Sequence, residues 1–144
     1  MRRLDTKYMF SQHLLPELLR GLEDDYAVLE VGGSTQHGYL TLYFDTPGLT
    51  FFRDHHRGAG HRLKVRERQY QTTGQLFLEI KHRNNKGVTS KTRSEAPAWD
   101  PWLEPGAVPE ELTEVTGLGK PLSGRLVPAL WNAYDRVTLV GLGR

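Results

Sequence analysis

Cysteine is absent from this 144-residue sequence, which excludes disulfides and thiolate metal sites. No apolar run approaches the roughly 20 residues that a membrane-spanning helix needs. The first residues, MRRLDTKYMF, lack the apolar centre of a signal peptide. There is no internal repeat and no low-complexity tract. Net charge is small too, +2 from 19 basic and 17 acidic residues. A polycationic tail is thereby excluded, and any basic surface has to come from where the cations are placed. With 38% hydrophobic and 25% charged residues, the composition is that of a soluble globular chain. Its length suits one domain with a modest core. A cytoplasmic location is the expectation.

What the sequence does have is alternation. From His61 it reads HRLKVRERQY, a QTTG break, LFLEIKHR, an NNKG break, then VTSKTR. Arg62, Lys64, Arg66 and Arg68 fall at every second residue, with Leu63 and Val65 between them. A period of two belongs to a strand and puts the four cations on one face. In the next segment Leu76, Leu78 and Ile80 face one way, and Phe77, Glu79, Lys81 and Arg83 the other. Asn84-Asn85-Lys86-Gly87 supplies residues that tolerate left-handed backbone. Lys91 and Arg93 follow, again two apart. Three antiparallel strands result, with seven or eight cations on one face and only Glu67 and Glu79 as opposite charges. Neighbouring strands lie about 4.8 Å apart, so such cations repel. A solvated outer face is one reading. The sharper one is a surface that takes its missing negative charge from a polyanion.

The remaining chain supplies flanking elements. Arg3, Asp5 and Lys7 alternate with Leu4, Thr6 and Tyr8, a pattern for a first strand. Leu14, Leu15, Leu18, Leu19 and Leu22 have helical spacing, with Pro16 in the first turn, and predict a short helix lying on the sheet. Tyr26 to Val31 and Gly38 to Asp45 are strand candidates that GGSTQH could join as a hairpin. Asp45-Thr46-Pro47 predicts the start of a helix ending near His56. His55 and His56 are adjacent and cannot share a helix face, so packing or capping suits them better than a metal. Ser94 to Pro109 reads as a loop pinned by Trp99 and Trp102, and Glu110 to Thr116 as a short helix. Leu126 to Leu142 closes the chain, with a strand that puts Tyr134, Arg136 and Thr138 on one face. The fold class expected is α+β, mainly antiparallel sheet with short flanking helices.

Taken in order, seven pieces resemble the VTC domain, the catalytic domain of polyphosphate polymerases within the wider triphosphate-tunnel, CYTH-like group. They are Asp5-Thr6-Lys7-Tyr8; Leu42-Tyr43-Phe44-Asp45-Thr46; Lys64-Val65-Arg66-Glu67-Arg68-Gln69-Tyr70; Phe77-Leu78-Glu79-Ile80-Lys81; Asn85-Lys86-Gly87; Lys91-Thr92-Arg93; and Tyr134-Asp135-Arg136. The resemblance implies a triphosphate-tunnel barrel, complete or incomplete, lined by Lys and Arg. It implies ATP and polyphosphate or triphosphate as partners, Mn2+ or Mg2+ as cofactor, and transfer of the ATP γ-phosphate to a polyphosphate end. By matching position it implies Lys7, Arg66, Arg68, Lys81 and Arg136 as the catalytic, phosphate-contacting set. Arg62, Lys64, Lys91 and Arg93 are further candidates for phosphate binding.

Two departures qualify the match. Position 5 is Asp where the family often has Glu. The chain also stops at Arg144, where family members normally continue with further strands. Residues 1–144 are therefore expected to form the N-terminal portion of a VTC-like domain, and a second copy could cover an open sheet edge. Asp5 and Glu79 are the candidate metal carboxylates; each is also in phase with a Lys two residues away, and charge balance is the plainer role. Rival functions are a module that holds polyphosphate or triphosphate without chemistry, a triphosphatase, and a nucleic-acid binder. The last is disfavoured, since only Tyr70 and Phe77 interleave with the basic residues and stacking would be poor.

Overall fold

The computed structural model describes residues 6–99 and 126–143. The chain divides into two compact units, residues 36–136 and, together, residues 1–35 with 137–144. The larger unit holds a five-stranded sheet in the order β5-β4-β3-β2-β6. Its strands are β2 (Gln36–Asp45), β3 (Arg62–Tyr70), β4 (Leu76–Arg83), β5 (Thr89–Glu95) and β6 (Val127–Val137). β2 with β3, β3 with β4, and β4 with β5 are antiparallel. The described sheet is open, with β5 and β6 at its edges. An α+β, mainly antiparallel architecture is thus present as expected.

One face of this sheet carries the core. Leu42 and Phe44 of β2, Leu63 and Val65 of β3, and Leu78 and Ile80 of β4 are buried there with Phe51 and Leu126, and Trp99 packs against them. Each such side chain contributes about 1.5–3 kcal/mol on full burial. Strict alternation fixes which residues these are, because a slip of one would turn the cations inward. Between β4 and β5, the Asn84 side-chain oxygen accepts hydrogen bonds from the Lys86 and Val88 amides, both at 3.0 Å. Gly87 takes a left-handed φ of 77° there, which only glycine adopts without strain.

The helix α2 (Thr50–His56) starts later than Pro47 suggests. Leu49 adopts a left-handed conformation and Thr46 to Leu49 form a turn. The capping role of Asp45 survives at longer range. Its carboxylate accepts from the amides of Phe51 and Phe52, both at 2.9 Å, and of Thr46 at 2.7 Å. One buried carboxylate so ties the end of β2 to the first turn of α2.

In the smaller unit, β1 (Tyr26–Val28) pairs antiparallel with β7 (Leu139–Gly141). That corrects the expected hairpin between Tyr26–Val31 and Gly38–Asp45. The Gly32-Gly33 pair, both at positive φ, closes a tight Val31–Ser34 bridge instead of a long connection. A 3-10 turn (Gln12–Leu14) leads into α1 (Leu15–Arg20), which has Pro16 in its first turn. Leu15, Leu19 and Leu22 form a half-buried stripe, but no residue of α1 is buried, so the core role expected for it is not seen. The expected first strand is also absent among the described residues: 6–10 carry no strand. Alternation needs a neighbour to take its backbone hydrogen bonds, and no described strand pairs with it. Arg3, Asp5, Trp102 and the helix expected at 110–116 lie outside the described residues.

Candidate functional site

The face opposite the core gathers the cations. In register, Arg62 stands opposite Arg83, Lys64 opposite Lys81, Arg66 opposite Glu79, and Arg68 opposite Phe77. On the other side of β4, Lys81 stands opposite Lys91 and Glu79 opposite Arg93. Opposite residues of paired strands share a face, so eight cations from three strands lie together. Arg136 joins them from β6: its guanidinium lies over the Tyr39 ring at 5.3 Å and over the Tyr134 ring at 5.7 Å. Glu67 does not belong here. It alternates onto the core face and is buried, which leaves Glu79 at the centre of the cation face and Glu95, opposite Phe77, at its β5 end.

Glu79 is nearly inaccessible at 1% exposure. Arg66 Nε donates to its Oε2 at 2.7 Å and Lys91 Nζ to its Oε1 at 2.5 Å. Burial works against the ionised carboxyl, yet the Lys91 hydrogen bond and the Arg66 charge outweigh it and hold Glu79 below the ordinary carboxylate range. On Arg66 burial likewise opposes the charge, and Glu79 with the Tyr43 hydroxyl overcomes it, raising the pKa. Arg66 Nη1 donates to that hydroxyl at 3.1 Å. The middle of the face is therefore a fixed arginine–carboxylate–lysine bridge.

Beyond the bridge, toward Tyr70, the arginines are braced by rings. Arg68 donates to Thr41 Oγ1 at 3.1 Å and lies over Tyr39 and Tyr134 at 5.4 and 5.8 Å. Arg93 lies over Phe77 at 4.6 Å. Tyr39 stacks on Tyr134 at 5.2 Å and meets Tyr70 edge-on at 5.1 Å, and Tyr70 meets Phe77 at 5.6 Å. This corrects the expectation that only Tyr70 and Phe77 interleave with the cations. The β2 register brings Tyr39, Tyr43 and Thr41 beside β3, and β6 brings Tyr134. Cation–π contacts of this kind contribute about 0.5–1 kcal/mol when exposed and more when desolvated. They also fix where a guanidinium points.

A family model described as the VTC domain matches residues 2–144.

The chain belongs to the VTC domain family.

This family is associated with phosphotransfer in polyphosphate chemistry. No curated protein matches the chain. Within the VTC assignment, nine of the cations singled out in the sequence lie on one sheet face: Arg62, Lys64, Arg66, Arg68, Lys81, Arg83, Lys91, Arg93 and Arg136. Lys7 lies outside the larger unit that carries this face. It is exposed, lies in no strand, and belongs to the smaller unit. Asp5 lies outside the described residues. The ring set Tyr39, Tyr43 and Tyr134 was missed as a bracing element. Its signal was present in the alternation Tyr39-Thr41-Tyr43, but which face those residues share depends on the β2–β3 register.

A divalent cation held by the protein alone does not fit the described donors. They contain no group of three potential ligands, and both oxygens of Glu79 are engaged by cations. Among the described residues no helix is long and apolar enough to cross a membrane.

Proposed function

We propose that this VTC domain is a polyphosphate polymerase-type phosphotransferase that moves the γ-phosphate of ATP onto a polyphosphate chain along the basic face. The observation that carries the reading is the charge imbalance: nine cations share one face with two carboxylates, Glu79 at its centre and Glu95 at its β5 end. In-line transfer forms a bond from the terminal oxygen of the acceptor chain to the γ-phosphorus. It breaks the bond to the β,γ-bridging oxygen, and ADP leaves. Such chemistry asks the protein mainly to position the two chains and to aim cations at the transferring oxygens. Arg66, Arg68 and Arg136 suit this task because a braced guanidinium offers a planar fork to phosphate. Lys81 supplies a point charge beside them. Glu79 orients Arg66 and Lys91. Mg2+ or Mn2+, as the family implies, would bind chiefly through phosphate and water oxygens.

A second reading is a module that holds polyphosphate or triphosphate without transfer. It draws on the same bridge, since Glu79 spends both oxygens on cations and is not free as a metal ligand. One assay separates the readings. Purified protein is incubated with ATP, manganese and a short polyphosphate primer, and products are resolved on a gel. Primer elongation supports the polymerase, phosphate release alone a triphosphatase, and binding without turnover the holding module. Sedimentation in the same buffer measures whether two copies pair, as an open edge at β5 or β6 would allow. Absence of any phosphate-chain binding at low salt overturns all three.

A further inference from the structure

Near the start of β3 the basic face folds into a cavity of about 170 Å³ lined by His55, Arg62, Lys64, Lys81, Arg83 and Thr89. One water needs about 10–15 Å³ of such space, so an anion of several heavy atoms fits. Four of the six side chains are cations. Among the described residues no carboxylate lines the cavity and none of the four cations makes a salt bridge. This is unlike the middle of the face, where Glu79 occupies Arg66 and Lys91. Arg62 and Arg83 also line a neighbouring cavity of about 310 Å³ that reaches Lys86 in the β4–β5 turn. A linear phosphate chain therefore suits the path better than a lone ion.

We propose that His55 and these four cations form a second phosphate pocket, in which the imidazole is neutral when the pocket is empty and protonated when a phosphate chain lies in it. The inference rests on the phosphate-binding reading of this face.

The atoms point to His55 as the proton-carrying member. Its Nε2 and the Nε of Arg62 are buried and make no hydrogen bond among the described residues. The nearby Leu63 backbone acts to raise its pKa, the direction a carbonyl acceptor gives, and in the tautomer that keeps its proton on Nδ1 the ring has none on Nε2. The neutral ring then carries a bare lone pair at Nε2. A lone pair repels a phosphate oxygen; an Nε2–H donates to it. Burial first, then the charges of Lys64 and Arg62, holds the empty-state imidazole below its ordinary value, with Asp54 acting the other way. Phosphate oxygens would cancel the two charges and supply an acceptor, and both effects favour the imidazolium.

Other charged groups do not reverse this sign. On α2, Asp54 is engaged by Arg57, and Arg53 and His56 add only positive or titratable nitrogen. From β2, Asp45 is spent on the Phe51 and Phe52 amides. Arg62 and Lys64 from β3 and Lys81 and Arg83 from β4 complete the surroundings. Linkage follows: chain binding takes up a proton, and affinity rises as pH falls through the occupied-state pKa, levelling below the empty-state one.

The test is calorimetric titration with cyclic trimetaphosphate, whose ring phosphates have no weakly acidic terminal oxygen to titrate near neutrality. Measurements run from about pH 8 to about pH 5.5, across the range where histidine titrates, in buffers of different ionisation heat. The full chain is expected to bind about tenfold more tightly at the acid end, the change one pKa unit corresponds to, with net proton uptake. In His55→Gln the pH slope and the proton uptake should vanish while binding near pH 8 persists. An unchanged slope in that variant overturns the proposal. If the variant fails to fold, NMR titration of the His55 ring in the native chain decides: its midpoint should move to higher pH with trimetaphosphate, and an unmoved midpoint under saturation overturns the pocket. Failure of trimetaphosphate and tripolyphosphate to bind at any pH would instead remove the phosphate-binding reading itself.

Discussion

The two ends of the basic face differ in how their cations are held. Toward Tyr70, Arg68, Arg93 and Arg136 lie against Tyr39, Phe77 and Tyr134, and Arg68 also bonds Thr41. Toward Arg83, Arg62, Lys64 and Lys81 make neither a cation–π contact nor a salt bridge among the described residues, and the one ring in their cavity is the His55 imidazole. Glu79 stands between the two regions. One end is pre-organised: a guanidinium already aimed loses little rotamer freedom when phosphate arrives. The other stores uncompensated charge, so its affinity comes from relieved repulsion and carries a larger ordering cost. The transfer proposed above would suit the first kind of site, since an error of 1 Å can cost about a hundredfold in rate. Retention of a long, repetitive anion tolerates the second.

The largest effect expected is at the bridge. We predict that Glu79→Gln lowers stability in urea by about 2–4 kcal/mol, because one buried carboxylate is lost from two cations, one of them half-exposed. Tripolyphosphate should recover part of the loss by replacing the missing charge. Lys64→Ala at the unbraced end should instead leave the free protein as stable or slightly more so. Similar losses in both variants would erase the distinction between the ends.

Next in size is affinity. Arg66→Ala should weaken tripolyphosphate binding by about 1–3 kcal/mol, as for one lost charge-assisted contact. Arg68→Lys should cost nearly as much despite keeping the charge, since the Thr41 and ring contacts need a guanidinium. Lys81→Arg, by contrast, should be close to neutral. Calorimetry of the three variants tests whether bracing matters; equal, small effects would mean diffuse electrostatics.

Stability should also fall in mild acid. His82 is buried on the core face and stacks on His61; burial, then His61, depresses its pKa, and His55 is depressed as well. A depressed folded-state value means that the unfolded chain takes the proton first. The contribution is full above the ordinary value near 6.5 and is lost as pH falls through the folded-state values. We predict a melting temperature that drops as pH falls below about 6.5, and a shallower drop in His82→Gln. An identical profile in that variant would assign the acid sensitivity elsewhere. The smallest effect is a control. Arg20 in α1 makes one exposed bond to the Pro16 carbonyl, and Arg20→Ala should change neither stability nor binding measurably.

Much of this site could be read before any coordinates, for a physical reason. A strand's period is two, so HRLKVRERQY and LFLEIKHR specify both faces by themselves, and Asn84 to Gly87 specifies the turn between strands. What could not be read depends on non-local pairing. Glu67 is no such case: it is in phase with Leu63 and Val65, so the period of two already put it on the core face, and counting it against the cations was an error of reading. That Glu79 bridges Arg66 and Lys91, by contrast, depends on the register of three strands. Arg136 looked solitary within its own strand, and only the strand order places it with Tyr39. The helix start was displaced because Asp45 reaches amides six and seven residues on, a distance that cap rules do not cover. At the N-terminus alternation was present without a pairing partner, and no strand formed in the residues described.

The register has a consequence for how the chain folds. Lys64, Lys81 and Lys91 form one row across three strands, with Arg62 and Arg83 in the next. Closing the β3–β4 and β4–β5 hairpins therefore drives like charges together before any ligand is present. The reach of that repulsion depends on dissolved ions, about 30 Å at 0.01 M salt and about 8 Å at 0.15 M. Moderate ionic strength should speed the closure of these hairpins. A phosphate chain would do so more effectively, since one molecule can span several rows. The polymer would then act on the nascent sheet as a folding aid, before that sheet is in a position to act on the polymer.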